Sequence, residues 1–151
     1  MGLLTFKGGV HPYDGKDLSK DKPIKSVSPK GDLVYLLSQH IGAPAKPLVA
    51  KGDRVLVGQK IAEPGGFVSA PVHASVSGTV KAIEPHLTVG GTTVPAIVVE
   101  NDQQYEEVEF SSVEKVEDLT KEEVIKRIQE AGVVGMGGAG FPTHVKLSPK
   151  E

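Results

Sequence analysis

Apolar residues arrive in short bursts along most of this chain. Leu33-Val34-Tyr35-Leu36-Leu37 is a compact run between Pro29-Lys30-Gly31-Asp32 and Gly42-Ala43-Pro44. Turn residues on both sides and the short length predict a strand rather than a helix. From Pro47 to Glu100 the pattern repeats in miniature: Leu48-Val49, a Lys51-Gly52-Asp53 turn, Val55-Leu56-Val57, and Lys60-Ile61-Ala62. After Pro64-Gly65-Gly66 come Phe67-Val68, Ala70-Pro71-Val72 and the run Ser77 to Ile83. A hairpin is predicted to pair Leu87-Thr88-Val89 with Thr92-Thr93-Val94 across Gly90-Gly91, a dipeptide that can take the positive φ of a tight turn. Many short strands separated by glycine turns predict a mainly β domain, a small barrel or sandwich.

The ends of the chain read differently. Residues 1–30 are rich in Gly, Pro, Lys and Asp, with one apolar alternation around Ile24 to Val27, and predict an extended arm with one strand. Residues 101–118 are acidic and polar, including Tyr105-Glu106-Glu107-Val108-Glu109-Phe110, and read as a linker or edge strand between modules. A helix is predicted from Thr120 to Ala131. Thr120 with Glu123 makes a capping box, Val124, Ile125 and Ile128 form one apolar face, and Gly132 closes the end. The predicted organisation is therefore an arm (1–30), a β domain (31–100), a linker (101–118) and the start of a second domain (119–151).

Composition narrows the classes of function. Seventeen basic against nineteen acidic residues give a net charge of -2, so no field is present to hold nucleic acid. The absence of cysteine excludes disulfides and thiolate-ligated iron–sulfur clusters within the chain. No apolar run approaches the roughly 20 residues of a membrane-spanning helix, and Met1 to Phe6 has no basic leader region. These features predict a cytoplasmic segment with no transmembrane span of its own. The five histidines, His11, His40, His73, His86 and His144, show no metal-ligand spacing. His11 is expected to form a local hydrogen bond in the arm, and His144, four residues past the glycine loop, to lie on the surface in preference to approaching a ligand at that loop.

The candidate chemistry lies near the end, in Gly135-Met136-Gly137-Gly138-Ala139-Gly140-Phe141-Pro142-Thr143 and Lys146. Four glycines between 135 and 140 leave backbone N–H groups bare and able to converge on a phosphate or ring oxygen. The spacing satisfies G-x-G-x-x-G, but a dinucleotide fold needs a strand before the glycines and a helix opening on the last of them. Here a helix leads in and Pro142 follows, so the Rossmann reading fails.

The run GxGGAGFPTxxK resembles the flavin loop of the NADH-binding subunit of complex I and of its relative, the C subunit of the Rnf ion-translocating electron-transport complex. Phe6-Lys7-Gly8-Gly9-Val10-His11-Pro12 is similar to the opening of the Rnf protein, as Leu37 to Ala45 and Gly52 to Gln59 are to its middle. The resemblance implies that Gly135, Gly137, Gly138, Ala139 and Gly140 line a flavin mononucleotide (FMN) site through their amides. Lys146 would offer its ammonium, and Phe141 would stack on a ring or pack in the core. The complex I pattern has an arginine where Met136 stands. In the family the flavin domain continues past this point, so the 119–151 segment is expected to be the truncated opening of an α/β flavin-binding domain. The resemblance further implies NADH as the hydride donor, ferredoxin as the acceptor of the full complex and [4Fe-4S] clusters outside this chain. The other members of the complex would be partners, with the protein lying peripherally on the cytoplasmic face of the membrane.

A second likeness concerns the β domain. K-G-D-x-V-x-x-G-Q from Lys51 and A-P-x-x-x-x-x-S-G-T-V from Ala70 are similar to the two halves of a biotinyl or lipoyl carrier, which implies a barrel-sandwich hybrid. Carriers mount their cofactor on a lysine between the halves. Here the tip Glu63-Pro64-Gly65-Gly66-Phe67 has none, and Lys60 lies before it. A carrier scaffold without cargo is expected, its function either a part of the flavin protein or a docking module.

Overall fold

The computed structural model describes residues 12–112 and 115–149; all of the Phe6–Pro12 motif except Pro12, His11 included, lies outside them. Among the described residues seven strands form two antiparallel sheets: β1 (Leu33–Leu36), β2 (Lys46–Pro47), β3 (Arg54–Val55), β4 (Lys60–Glu63), β5 (Val72–His73), β6 (Gly78–Leu87) and β7 (Thr93–Asn101). One sheet has the order β1-β7-β6-β3 and the other β2-β4-β5. The apolar side chains between them form one core, in which Val55, Ile61, Val76, Val80, Ile97 and Val99 are wholly buried. Burial of side chains of this size contributes about 1.5–3 kcal/mol each. In β6 the alternation is strict at first, Gly78 and Val80 inward, Thr79 and Lys81 outward. Ala96 to Val99 of β7 are all buried, as suits a strand flanked on both edges.

Several local expectations are corrected. The β6–β7 register runs Leu87 to Thr93, with Thr88 N–H donating to Thr92 O at 2.7 Å. The loop thus has three residues, Val89-Gly90-Gly91, instead of two. Gly91 N–H closes a turn on Thr88 O, and Gly91 takes φ 79°, the type I turn plus left-handed residue of a three-residue hairpin loop. Only one positive φ is required, and Val89 is left in solvent at the tip. Ile24 to Val27 forms no strand; both named side chains are exposed and no sheet neighbour pairs with them. Phe67-Val68 lies in an irregular tip, and the pairing expected at Leu48-Val49 falls instead at Lys46–Pro47.

The segment after β7 is bound to the barrel at many points. Arg54 reaches Asp102 at 2.9 Å and Glu106 at 2.8 Å, while Ser77 donates its hydroxyl to Asp102 at 2.6 Å. Val57 N–H donates to Glu106 O and Val108 N–H to Val57 O, a parallel bridge that continues the β3 edge. Asn101 and Tyr105 both donate to Pro29 O at 3.0 Å, which pins the base of the arm.

Helix α1 (Lys121–Glu130) carries the predicted capping box, with Thr120 Oγ1 accepting from Glu123 N–H and Glu123 accepting from Thr120 N–H. Its C-terminal end rests on the barrel. Lys60 of β4 pairs with Glu130, and a Cβ on Gly132 would stand 2.7 Å from Pro71 O. His73 sits at the same joint, where burial and the Lys60 charge push its pKa below the usual 6.5. A second, short helix, α2 (Thr143–Lys146), follows the glycine loop and has no counterpart among the predicted elements.

Candidate functional site

The glycine loop leaves α1 through Val133 and Val134 and returns at Phe141 and Pro142. Val134 and Pro142 form an antiparallel bridge, Gly135 N–H donates to Phe141 O at 3.0 Å, and Thr143 N–H donates to Val133 O at 3.0 Å. These bonds close a neck that Pro142, buried, locks from within. Within the loop the amides of Met136, Gly137, Gly138, Ala139 and Gly140 have no acceptor among the described residues. Glycine serves here because bare amides need close approach, and a Cβ at Gly137 or Gly138 would meet no protein atom within 4 Å, so open space lies beside the loop.

That space is an open cavity of about 570 Å³, within the range of small-molecule sites. Of the residues singled out in the sequence, Gly135, Gly138, Ala139 and Gly140 line it, together with Val134 and Met136. Gly137, Phe141 and Lys146 do not. Phe141 is half-buried behind the loop, with Lys146 Nζ 5.8 Å from its ring centroid. The same ammonium lies 3.1 Å from where a Cβ on Gly135 would stand. Lys146, itself exposed, therefore backs the loop with its ammonium and adds positive charge to it.

The opposite wall comes from the barrel domain and was not assigned from the sequence. Gln39, His40 and Ile41 line the cavity, and Ile41 N–H donates to Ala139 O at 3.0 Å. The signal available was the Leu37-Ser38-Gln39-His40-Ile41-Gly42 block, which the resemblance picked out without giving it a role. His144 is also corrected: it is 5 % exposed, packs edge-on against Phe67 with ring centroids 6.4 Å apart, and its Nε2 has no partner among the described residues. It is buried because α2 turns it toward the barrel tip. Lys60 lies in β4, paired with Glu130, rather than at the tip where a carrier lysine stands.

The donor set fits an anion with a ring attached. Five free amides and one ammonium supply hydrogen bonds and positive charge for phosphate, and exposed Met136 and Ile41 offer apolar contact to a ring. Among the described residues no group of three or more His, Cys, Asp or Glu could hold a metal, and no helix is long and apolar enough to cross a membrane.

Residues 4–104 match the RnfC barrel-sandwich hybrid domain family. The chain is 44 % identical over 146 residues to the C subunit of the Na(+)-translocating ferredoxin:NAD(+) oxidoreductase complex of Acetobacterium woodii, covering 95 % of this chain and 33 % of that protein. It is 46 % identical over 149 residues to the proton-translocating counterpart of Clostridium ljungdahlii, covering 97 % and 32 %. With the C subunit of the ion-translocating oxidoreductase complex of Vibrio cholerae the identity is 42 % over 147 residues, covering 96 % and 19 %. The chain thus spans a third or less of the length of these curated relatives. A match over most of the chain, on a two-sheet β core of the kind that family's name describes, means that this chain belongs to the RnfC family.

Proposed function

We propose that the chain is the N-terminal part of an NADH-oxidising, FMN-binding subunit of an ion-translocating electron-transport complex, peripheral on the cytoplasmic face of the membrane. The observation that carries this is the loop 136–140, whose amides have no acceptor among the described residues and stand beside an open cavity with Lys146 behind them. In this reading the amides of Gly137, Gly138, Ala139 and Gly140, with that of Met136, donate hydrogen bonds to the phosphate and ring oxygens of FMN, and Lys146 neutralises charge there; Gly135, whose N–H is committed to Phe141 O, lines the site without donating to it. Phe141 holds Lys146 in place instead of stacking on the ring. FMN, when bound, would supply conversion of a two-electron hydride from NADH into the single electrons that [4Fe-4S] clusters and ferredoxin of a full complex would take up. The cavity is walled on two sides only, so the chain by itself binds FMN weakly or not at all.

Fluorescence titration of FMN into this chain and into the full-length protein tests the reading. Tight binding and reduction by NADH are expected in the full-length protein alone. Absence of binding in both would overturn the flavin assignment of Gly135 to Lys146.

A docking role for the barrel stands beside this, favoured by apolar side chains left in water at one end of the molecule. Leu87 and Val89 sit exposed on the β6–β7 ribbon, which extends beyond both β1 and β3. In this reading the ribbon meets another member of the complex. Leu87→Asp would then weaken assembly while leaving FMN binding intact, read by co-purification of the complex; unchanged assembly would remove the ribbon from consideration.

A further inference from the structure

The barrel tip, Glu63 to Ala70, stands where carrier domains mount a cofactor. In this molecule it grips both flanks of the glycine loop. On one flank Ala70 N–H donates to His40 Nε2 at 3.0 Å, and His40 Nδ1 lies 3.1 Å from Ile41 O. With the proton on Nδ1 both contacts are satisfied at once; with it on Nε2 the ring would donate to Ala70 O at 3.3 Å instead and release Ala70 N–H and Ile41 O. The imidazole thereby ties the tip to its own loop. The backbone beside it is the seat of the glycine loop: a Cβ on Gly140 would stand 3.0 Å from Gln39 O and 3.1 Å from His40 Cα. Ile41 N–H, one residue on, holds Ala139 O. On the other flank Phe67 meets His144, the second residue of α2.

The tip itself is braced for this task. Ser69, wholly buried, accepts from Gly65 N–H and donates to Ala43 O, while Ala43 N–H donates to Val68 O. A continuous set of contacts therefore runs from Ser69 and Ala70, the buried end of the tip, through His40 and Ile41 to Ala139.

We infer that His40 is a positioning residue for the ligand site on the glycine loop. Held by Ala70, it keeps Gln39-His40-Ile41 as the second wall of the cavity and fixes the directions in which the loop's free amides point. The barrel-sandwich domain is then half of the binding site rather than a neighbour of it. Only the identity of the ligand rests on the flavin reading; the seating of the loop does not.

Hydrogen exchange read by mass spectrometry on the full-length protein, with FMN titration of the same preparations, tests this. His40→Ala should raise exchange of the Ile41 amide about tenfold or more, leave the Val80 and Val99 amides at wild-type protection, and weaken FMN binding by a similar factor. His40→Gln, which keeps an acceptor for Ala70 N–H, should recover much of both. Phe67→Ala, at a side chain exposed enough to leave the core alone, should loosen the Thr143 and Leu147 amides on the other flank. It decides the matter if His40→Ala also unseats the barrel. Wild-type exchange at Ile41 in His40→Ala, or at Thr143 and Leu147 in Phe67→Ala, with the barrel intact would overturn the seating. Equal FMN affinity in wild type and His40→Ala would overturn the positioning role. A full-length protein that binds no FMN at all would overturn the flavin reading instead and leave the exchange result to decide the seating.

Discussion

Single residues in this fold differ in how far their roles reach. Gly91 takes a positive φ in a turn with nothing around it, whereas Gly42, at φ 98°, would place a Cβ 2.1 Å from Val68 O. Gly91→Ala should therefore cost about 1 kcal/mol, the strain alone. Gly42→Ala should cost about 3 kcal/mol, because the steric conflict adds to it. Urea midpoints of the two variants check this ordering. Asp102 gives a pH dependence. The Ser77 hydroxyl, then the Gln104 amide and the Arg54 guanidinium, hold its carboxyl below the ordinary 3.8. Its contribution is therefore full at neutral pH, above that ordinary value, and is lost as pH falls through the lowered one. Thermal melts should show wild type losing stability below about pH 4, with a shallower acid limb in Asp102→Asn; parallel limbs would mean that the carboxylate does not anchor the strap. The Asp102 clasp was not legible in the sequence, because Arg54 and Ser77 reach it only when β3 and β6 lie side by side. Thr120 and Glu123 were legible, since their hydrogen bonds span three residues of one chain turn.

At the scale of elements, α1 is held by its ends more than by its face. None of its residues is fully buried, although Val124, Ile125 and Ile128 form the apolar stripe foreseen from spacing. Its capping box and the Lys60–Glu130 pair consequently carry much of its local stability. Thr120→Ala should cost about 1 kcal/mol and speed exchange of the Val124 to Ile128 amides about fivefold. Lys60→Met, which removes a pair only 31 % exposed on the lysine side, should cost under about 1 kcal/mol. Exchange rates unchanged in Thr120→Ala would assign the helix to packing instead. The strands of the core were legible because apolar runs such as Leu33 to Leu37 are bounded by Gly and Pro. The β6–β7 register was not. Gly90-Gly91 permits either a two-residue or a three-residue loop, and the choice falls to the pairing of Ile83 with Ile97 and Val80 with Val99 inside the sheet. Ile24 to Val27 shows the converse: local alternation without a neighbouring edge makes no strand.

For the molecule as a whole, the buried apolar side chains lie overwhelmingly in the barrel, and among the described residues after 101 only Pro142 and His144 are fully buried. Native-state exchange should accordingly show the barrel amides of Val80, Ile97 and Val99 as the slowest and those of α1 and α2 as the first to open. One common rate for both parts would show that the Lys60–Glu130 and Phe67–His144 contacts make them a single cooperative unit. Local signals sufficed for the mainly β class, the helix with its cap and the glycine loop, because each rests on residues within a few positions of one another. The tertiary structure alone decided that the strap after β7 clasps the barrel, that His144 is buried, and that Gln39 to Ile41 form the second wall of the loop's cavity. Those outcomes depend on which surfaces meet when segments far apart in the chain pack together, and neither composition nor periodicity encodes that meeting.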